Sequence, residues 1–197
     1  MLRTCILLLF VLAKAGSQSK QIDSGSKFSQ ETFVYKSVDD TVIKADVYRL
    51  AGQERRPVII WIHGGALIFG NRGMLPPDER DEFLKAGYVL VAIDYRLAPE
   101  TKLTEILKDV DDAYKWVQDK GPALFHVDPQ HVAVIGQSAG AYLALMAGIR
   151  GRPSPKAIVS FYGYGNISGD WYSRPSLYYL RRPRVTKEVA LGCFPNE

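Results

Sequence analysis

The sequence predicts an α/β fold with a mostly parallel sheet and helices on both faces. Short apolar runs alternate with segments of helical periodicity, which is typical of strands joined by crossover helices. The runs at 57–63 and 88–94 are almost continuously apolar, as expected for strands that are buried on both faces. Parallel strands of this kind are joined by right-handed crossovers. At 197 residues, the chain is long enough for one domain with a substantial core.

Local patterns place the individual elements. Two stretches around the Asp39-Asp40 turn predict a β-hairpin, and four apolar runs predict further strands. Three segments predict helices, of which the first closes at Gly87 and the second at Gly121-Pro122. The predicted strands are 32–36, 42–48, 57–63, 88–94, 131–135 and 157–162, and the predicted helices are 76–86, 104–120 and 141–147. After Gly163 the pattern loosens, and only 185–191 is helix-like.

The N-terminus has the pattern of a secretory signal peptide. Arg3 precedes a short apolar run, and Ala13-Lys14-Ala15 has the small-x-small form of a cleavage site. The apolar run is too short to span a bilayer, so we expect a secreted or periplasmic protein without a stable membrane span. The expected regions are a signal peptide at 1–15, a flexible leader at 16–30, a core at 31–163 and a partial cap or C-terminal segment at 164–197.

Charge and cysteine content exclude several classes of function. The net charge is +4 with scattered basic residues, and the Arg181-Arg182-Pro183-Arg184 run is typical of a surface turn, so we expect no nucleic-acid partner. Of the two cysteines, only Cys193 would remain after cleavage, which leaves no internal disulfide. Asn166-Ile167-Ser168 forms a glycosylation sequon, a pattern that also arises often by chance.

The pentapeptide Gly136-Gln137-Ser138-Ala139-Gly140 carries the strongest functional signal. It lies between a predicted strand and a predicted helix, where a hydrolase nucleophile occupies a sharp turn and flanking glycines avoid clashes. About one chain in fifteen of this length would carry such a pentapeptide by chance. The strand–turn–helix context makes a plain Gly-Ser turn the weaker interpretation. The pattern therefore predicts Ser138 as a nucleophile.

Two further motifs follow predicted strands. His63-Gly64-Gly65-Ala66 ends the first buried strand, and its glycine N–H groups can face the oxyanion of a tetrahedral intermediate. We interpret the His63 side chain as structural. The run Asp94-Tyr95-Arg96-Leu97-Ala98-Pro99-Glu100 ends the next strand, and it indicates that Arg96 forms ion pairs with Asp94 and Glu100.

Together these three motifs resemble the esterase branch of the α/β-hydrolases related to hormone-sensitive lipase, including acetyl-esterase-like enzymes. The resemblance covers roughly residues 30–165 and implies an α/β-hydrolase fold. It implies Ser138 as the catalytic nucleophile and an oxyanion hole formed by the N–H groups of Gly64, Gly65 and Ala139. It also implies short-chain acyl esters as small-molecule substrates, without a metal or cofactor.

No histidine follows Ser138, although the resemblance implies the order serine, acid, histidine. The three histidines are His63, His126 and His131, and the last two are expected at the opposite edge of the sheet. Asp170 follows the serine too closely to match the acid of the family. We therefore expect a truncated hydrolase that lacks its last two strands. Loss of a triad base typically leaves only about 10³–10⁴-fold catalysis over water.

Two functions stay open at this point. The first is a serine hydrolase that acts on short-chain carboxylic esters through an acyl-enzyme on Ser138 and is weak or inactive in this form. The second is a non-catalytic secreted fragment that binds an ester or a protein partner. The pattern leaves the oligomeric state open.

Overall fold

A computed structural model describes residues 28–183 and 185–192. The predicted signal peptide at 1–15 and Cys193 lie outside the described residues, so export stays a prediction. The chain divides after Gly165 into two units, two residues from the predicted boundary. No helix in the described ranges is both long enough and apolar enough to cross a membrane.

The first unit contains a six-stranded sheet. Its strands are β1 (Phe28–Val38), β2 (Thr41–Leu50), β3 (Arg56–Ile62), β4 (Val89–Ile93), β5 (Val127–Gln137) and β6 (Ala157–Phe161). Their spatial order is β1-β2-β4-β3-β5-β6. β1 and β2 form an antiparallel hairpin, and β2 is antiparallel to β4. The pairs β4–β3, β3–β5 and β5–β6 are parallel, which confirms the mostly parallel sheet.

Helices cover both faces of this sheet. The first unit contains α1 (Pro77–Lys85), α2 (Leu103–Leu124) and α3 (Ala139–Arg150), and the second contains α4 (Asp170–Ser173) and α5 (Lys187–Gly192). Val159 of β6 packs against a core cluster that includes Leu84 of α1. Ile158, the preceding residue of β6, instead packs against Gly148 of α3, where a β-carbon would overlap the Ile158 side chain. Because adjacent strand residues point to opposite faces, α1 and α3 lie on opposite sides, and α2 packs beside α3.

The core lies in the two central strands. Residues 58–62 of β3 and 89–93 of β4 are each at most 3% exposed, as their continuous apolar runs predict. Burying a large aliphatic side chain contributes about 1.5–3 kcal/mol. These strands therefore form the rigid base from which the loops at their carboxyl ends extend.

β1 begins earlier than the sequence predicts. The strand starts at Phe28, so the last three residues of the expected leader at 16–30 belong to the sheet. Phe28 pairs with Leu50, and its ring lies 6.1 Å from the ring of Tyr48 and under the Arg80 guanidinium. The polar residues at 29–31 concealed this strand, because at the edge of the sheet they need no apolar partner.

α2 ends later than the sequence predicts. It continues through Gly121 and Pro122 to Leu124, and the Phe125 N–H donates to the Gly121 carbonyl at 3.0 Å. A β-carbon on Gly121 would lie 2.6 Å from the Val127 side chain, so this glycine permits close packing and does not terminate the helix. Pro122 removes only one hydrogen bond from the last turns.

β6 lies at one edge of the sheet. Within the described residues it pairs only with β5, and Ala157, Ser160 and Phe161 are exposed. No strand follows β6 in the described ranges, so the two further strands that the resemblance implies are not among these residues.

Candidate active site

Ser138 alone joins β5 to α3 and has a strained backbone. Its φ is 54° and its ψ is −116°, a conformation that a residue with a side chain adopts only when its surroundings impose it. The Ser138 N–H donates to the Phe161 carbonyl at 2.9 Å, and its carbonyl accepts from the Ala141 N–H at 3.0 Å. These bonds hold the turn, and Ser138 is exposed at the carboxyl edge of the sheet.

The glycines of the pentapeptide are required by close packing. A β-carbon on Gly136 would overlap the Gly140 carbonyl oxygen. A β-carbon on Gly140 would overlap the Ile62 carbonyl oxygen at the end of β3. The sharp turn at Ser138 therefore depends on both glycines, and Gly140 brings α3 against the sheet.

The loop after β3 lies beside this turn. A β-carbon on Gly64 would lie 3.3 Å from the Ser138 Cβ and 2.9 Å from the Gln137 carbonyl oxygen. The next three residues all have positive φ: 105° at Gly65, 53° at Ala66 and 66° at Leu67. This run is rare outside glycine and turns the chain sharply away from β3.

Three backbone N–H groups are available at this point. Gly64 and Gly65 donate to no backbone carbonyl within the described residues. Ala139 is the first residue of α3, where an N–H has no acceptor within its own helix. The structure thus brings Gly64 directly against Ser138, with Gly65 and Ala139 as their immediate neighbours in the chain.

His63 is fixed by contacts with this loop and with Tyr95, and it makes no hydrogen bond to Ser138. It is fully buried, its Nδ1 lies 2.7 Å from the Gly64 carbonyl oxygen, and its ring stacks on Tyr95 at 4.2 Å. Its Nε2 is buried without a hydrogen-bond partner among the described residues. Burial lowers the pKa of His63, although the bond to Gly64 opposes the shift. This geometry suits a neutral imidazole that supports the loop.

The other two histidines lie at the far end of β5. His126 directly precedes the strand, and His131 lies in its first half, where its Nδ1 contacts Asp128 at 2.7 Å. Ser138 lies seven positions after His131, which corresponds to about 23 Å along an extended strand. The Ser138 hydroxyl makes no hydrogen bond within residues 28–183 and 185–192. No general base is therefore in contact with it in this part of the chain.

The ion pairs differ from those that the sequence predicts. Arg96 binds Asp109 of α2, with Nε and Nη2 each at 2.8 Å from a carboxylate oxygen, and pairs with neither Asp94 nor Glu100. The prediction was wrong because neighbours in sequence leave the strand in different directions, whereas α2 crosses directly beside Arg96.

Asp94 instead fixes the segment that follows the glycine loop. It accepts from the Arg72 backbone N–H at 2.7 Å and from Arg72 Nη1 at 2.6 Å, and Arg72 Nε also lies 2.9 Å from Asp46 Oδ1. These contacts attach the 3-10 turn Arg72–Met74 to the end of β4 and to the middle of β2. No local pattern indicates this role of Arg72, because its two partners lie 22 and 26 positions away along the chain.

Asp109 is a buried acid whose role the motifs do not predict. It is fully buried, and it also binds Lys36 of β1 at 2.7 Å. Burial alone would raise its pKa, but the hydrogen bonds from Arg96 and Lys36 outweigh burial and lower it. One signal was present: position 109 falls on the apolar stripe of α2 together with Ile106 and Val110, where an acid needs a partner.

A second missed cluster lies beside Ser138. Gln137 Nε2 donates to Glu79 Oε1 of α1 at 2.6 Å, and the Tyr162 hydroxyl donates to Gln137 Oε1 at 2.9 Å. The three side chains come from α1, β5 and the residue after β6. No local sequence pattern brings such distant elements together.

No candidate metal centre is present in the part of the chain that the structure describes. There, no three histidine, cysteine, aspartate or glutamate side chains gather as the ligands of a metal ion would. The buried acids described above are engaged by arginine and lysine side chains.

Comparison with known proteins identifies the family of this arrangement. The model of the BD-FAE family matches residues 45–168. A hyperthermophilic esterase from Pyrobaculum calidifontis is similar in structure, with a TM-score of 0.60, 32% identity, and coverage of 79% of this chain and 50% of that one. Thermogutta terrifontis esterase 2 phosphoramylated by tabun has a TM-score of 0.54 and 31% identity, over 58% of this chain and 44% of that one.

A much larger protein also contains a similar segment. The non-reducing polyketide synthase atr1 of Stereocaulon alpinum is 37% identical over 153 residues, which is 71% of this chain and 6% of the synthase. The chain therefore spans half or less of the esterases and a small fraction of the synthase. The fold and the esterase resemblance predicted from the sequence are confirmed. This chain belongs to the BD-FAE family, a family of α/β-hydrolase esterases.

Proposed function

We propose that this chain carries the nucleophile of a serine hydrolase that acts on short-chain carboxylic esters through an acyl-enzyme on Ser138. The observation that carries this proposal is the strained backbone of Ser138, which lies against Gly64. Strain of this kind costs about 1–3 kcal/mol and persists where the surrounding structure imposes it, often at functional sites. The hydrolase esterases that the chain resembles support the same chemistry.

The proposed reaction begins with attack of Ser138 Oγ on the ester carbonyl carbon. The carbonyl oxygen becomes an oxyanion, which accepts hydrogen bonds from the N–H groups of Gly64, Gly65 and Ala139. Collapse of the intermediate releases the alcohol, which takes up a proton, and leaves an acyl group on Ser138. Water then hydrolyses this acyl-enzyme to the free acid and the serine hydroxyl.

Removal of the Ser138 proton limits the rate of this reaction. None of the described residues hydrogen-bonds to the hydroxyl, so solvent takes the proton. A site with an oxyanion hole but without its base retains about 10³–10⁴-fold catalysis over water. We therefore propose weak turnover for a site without a contacting base, and full activity where an acid and a histidine complete the site.

Covalent labelling tests the nucleophile directly. A fluorophosphonate reacts by forming a bond between Ser138 Oγ and phosphorus while fluoride leaves and the hydroxyl proton passes to solvent. We expect peptide mass spectrometry to find the adduct on Ser138 and not on the exposed Ser160, and Ser138→Ala to remove it. Equal labelling of both serines, or none, would refute the proposal.

The second candidate is ester binding without turnover. One observation favours it: all three histidines precede Ser138, and none contacts its hydroxyl. Under this alternative, wild-type protein and Ser138→Ala would bind a short-chain ester equally, while neither would hydrolyse p-nitrophenyl acetate above the buffer rate. A wild-type rate above that of Ser138→Ala would exclude it.

A further inference from the structure

The Glu79–Gln137–Tyr162 cluster has a fixed direction of hydrogen bonding. An ionised carboxylate only accepts, so Glu79 requires the amide nitrogen of Gln137 to face it at 2.6 Å. The amide oxygen of Gln137 therefore faces Tyr162, whose hydroxyl donates to it at 2.9 Å. A phenol has one proton, and this bond uses it. The lone pairs of the Tyr162 oxygen are left to accept from another molecule.

Tyr162 lies beside the proposed nucleophile. The preceding residue, Phe161, accepts the hydrogen bond of the Ser138 N–H at 2.9 Å. The following residue, Gly163, is so close that a β-carbon there would lie 2.8 Å from the Ser138 carbonyl oxygen. Tyr162 thus stands between the two residues that touch the backbone of Ser138. Its hydroxyl reaches Gln137, the residue that precedes the nucleophile.

The conformation of Tyr162 also indicates a function beyond packing. The residue is 76% exposed, which is unusual for an aromatic side chain held by a specific hydrogen bond. Its φ is 44°, in the left-handed region that residues with bulky side chains rarely occupy. Because the ring is exposed, its burial does not offset the free-energy cost of this strained backbone. Strained residues of this kind cluster where ligands bind.

We propose that Tyr162 is a substrate-binding residue whose phenolic oxygen accepts a hydrogen bond from a hydroxyl group of the ester. This inference rests on the proposed function, because Ser138 marks the position of the reacting carbonyl. The substrates of this site are then esters with a hydroxyl group a few atoms from the carbonyl, such as hydroxyacyl esters. Glu79 acts through Gln137 as a positioning residue, since it keeps the amide oxygen turned toward Tyr162.

Binding to the Ser138→Ala protein tests this without requiring turnover. Ethyl 3-hydroxybutyrate and ethyl butyrate differ by one hydroxyl group, and their affinities can be compared by ligand-observed NMR titration. We expect the hydroxylated ester to bind about 2- to 12-fold more tightly, the range of a net neutral hydrogen bond. Adding Tyr162→Phe should remove this preference by weakening the binding of ethyl 3-hydroxybutyrate.

Two further variants test whether the preference depends on the position of Tyr162 and on the positioning role of Glu79. Tyr88→Phe makes the same chemical change just before β4, at the amino-terminal ends of the parallel strands and away from Ser138, and should keep the full preference. Glu79→Gln lets the Gln137 amide turn around, and it should weaken the preference as Tyr162→Phe does.

Several results would overturn the proposal. Equal affinity for the two esters, no binding of the hydroxylated ester, or a preference that survives Tyr162→Phe would each exclude the role of Tyr162. A full preference in Glu79→Gln would exclude the positioning role of Glu79. Failure of the proposed function has a different signature, because it appears as absent labelling of wild-type Ser138 whatever the binding result.

Discussion

Gly64 and Ser138 lie side by side at the ends of two neighbouring parallel strands, with no free space for a side chain on Gly64. A β-carbon on Gly64 would lie 3.3 Å from the Ser138 Cβ, and 2.9 Å from the Gln137 carbonyl oxygen. Gly64 leaves the end of β3 and Ser138 leaves the end of β5, and these strands are neighbours in the sheet. The sheet itself therefore sets the distance between the proposed nucleophile and the first proposed oxyanion donor.

Gly64→Ala should reduce labelling of Ser138 by a fluorophosphonate about tenfold or more. The added methyl group meets a backbone carbonyl that cannot rotate away, so the glycine loop must move from Ser138. Loss of one oxyanion donor typically lowers kcat about 10²–10³-fold, and partial displacement should cost less. The labelling rate, followed by intact-protein mass spectrometry, measures this.

Gly73→Ala is the matched control for that variant. Its β-carbon would meet only the Asn71 side-chain oxygen at 3.0 Å, and a side chain can shift. We expect its labelling rate to stay within about twofold of wild type. Equal rates in Gly64→Ala and wild type would show that this contact is not needed for reaction.

Gly140→Ala should destabilise the fold more than Gly148→Ala, although both glycines lie in α3. The first substitution drives a methyl group into the Ile62 carbonyl oxygen of β3, and we expect it to lower the free energy of unfolding by about 2 kcal/mol or more. The second meets only the tip of the Ile158 side chain and gains helix propensity of about 1 kcal/mol. Urea unfolding followed by circular dichroism compares them, and equal losses would contradict the close approach at Gly140.

Asp109→Asn should lower the free energy of unfolding by about 3 kcal/mol at pH 7, because it leaves Arg96 and Lys36 without their buried counter-charge. Asp119→Asn in the same helix breaks only an exposed pair with Lys115 and should cost less than about 1 kcal/mol. Urea unfolding measures both losses. Similar small values for the two variants would show that the Asp109 cluster adds little.

The Asp109 carboxylate should also make the free energy of unfolding depend on pH in acid. Because the pKa of Asp109 is lowered in the folded protein, its contribution is present above the unfolded value of about 3.9 and is lost as the pH falls through the folded value. The difference in unfolding free energy between wild type and Asp109→Asn should therefore shrink below about pH 4. A constant difference down to pH 2 would contradict the lowered pKa.

His63 should make the fold sensitive to mild acid. Burial lowers the pKa of His63 below the ordinary histidine value of about 6.5, so the unfolded chain binds a proton more readily than the folded one. Its contribution to stability is full above pH 6.5 and declines as the pH falls from there to the folded pKa. An NMR titration of the His63 imidazole protons checks this. Titration at or above 6.5 would contradict the buried, neutral ring.

The parts of the site that depend on backbone geometry could be predicted from sequence. Gly136 and Gly140 predict a turn that only glycines permit, and the apolar runs of β3 and β4 predict buried parallel strands. The parts that depend on side chains meeting across the fold could not. Gln137 gives no local sign of Glu79 or Tyr162, which lie 58 and 25 residues away. Likewise, the pairing of Arg96 with Asp109 could not be predicted, because it depends on the path of α2.

The most direct test of the account is a crystal structure of the protein after reaction with the organophosphate diethyl p-nitrophenyl phosphate. We predict a covalent bond from Ser138 Oγ to phosphorus, with the phosphoryl oxygen about 2.7–3.1 Å from the backbone nitrogens of Gly64, Gly65 or Ala139. An adduct on another residue, or a phosphoryl oxygen directed away from all three nitrogens, would contradict it.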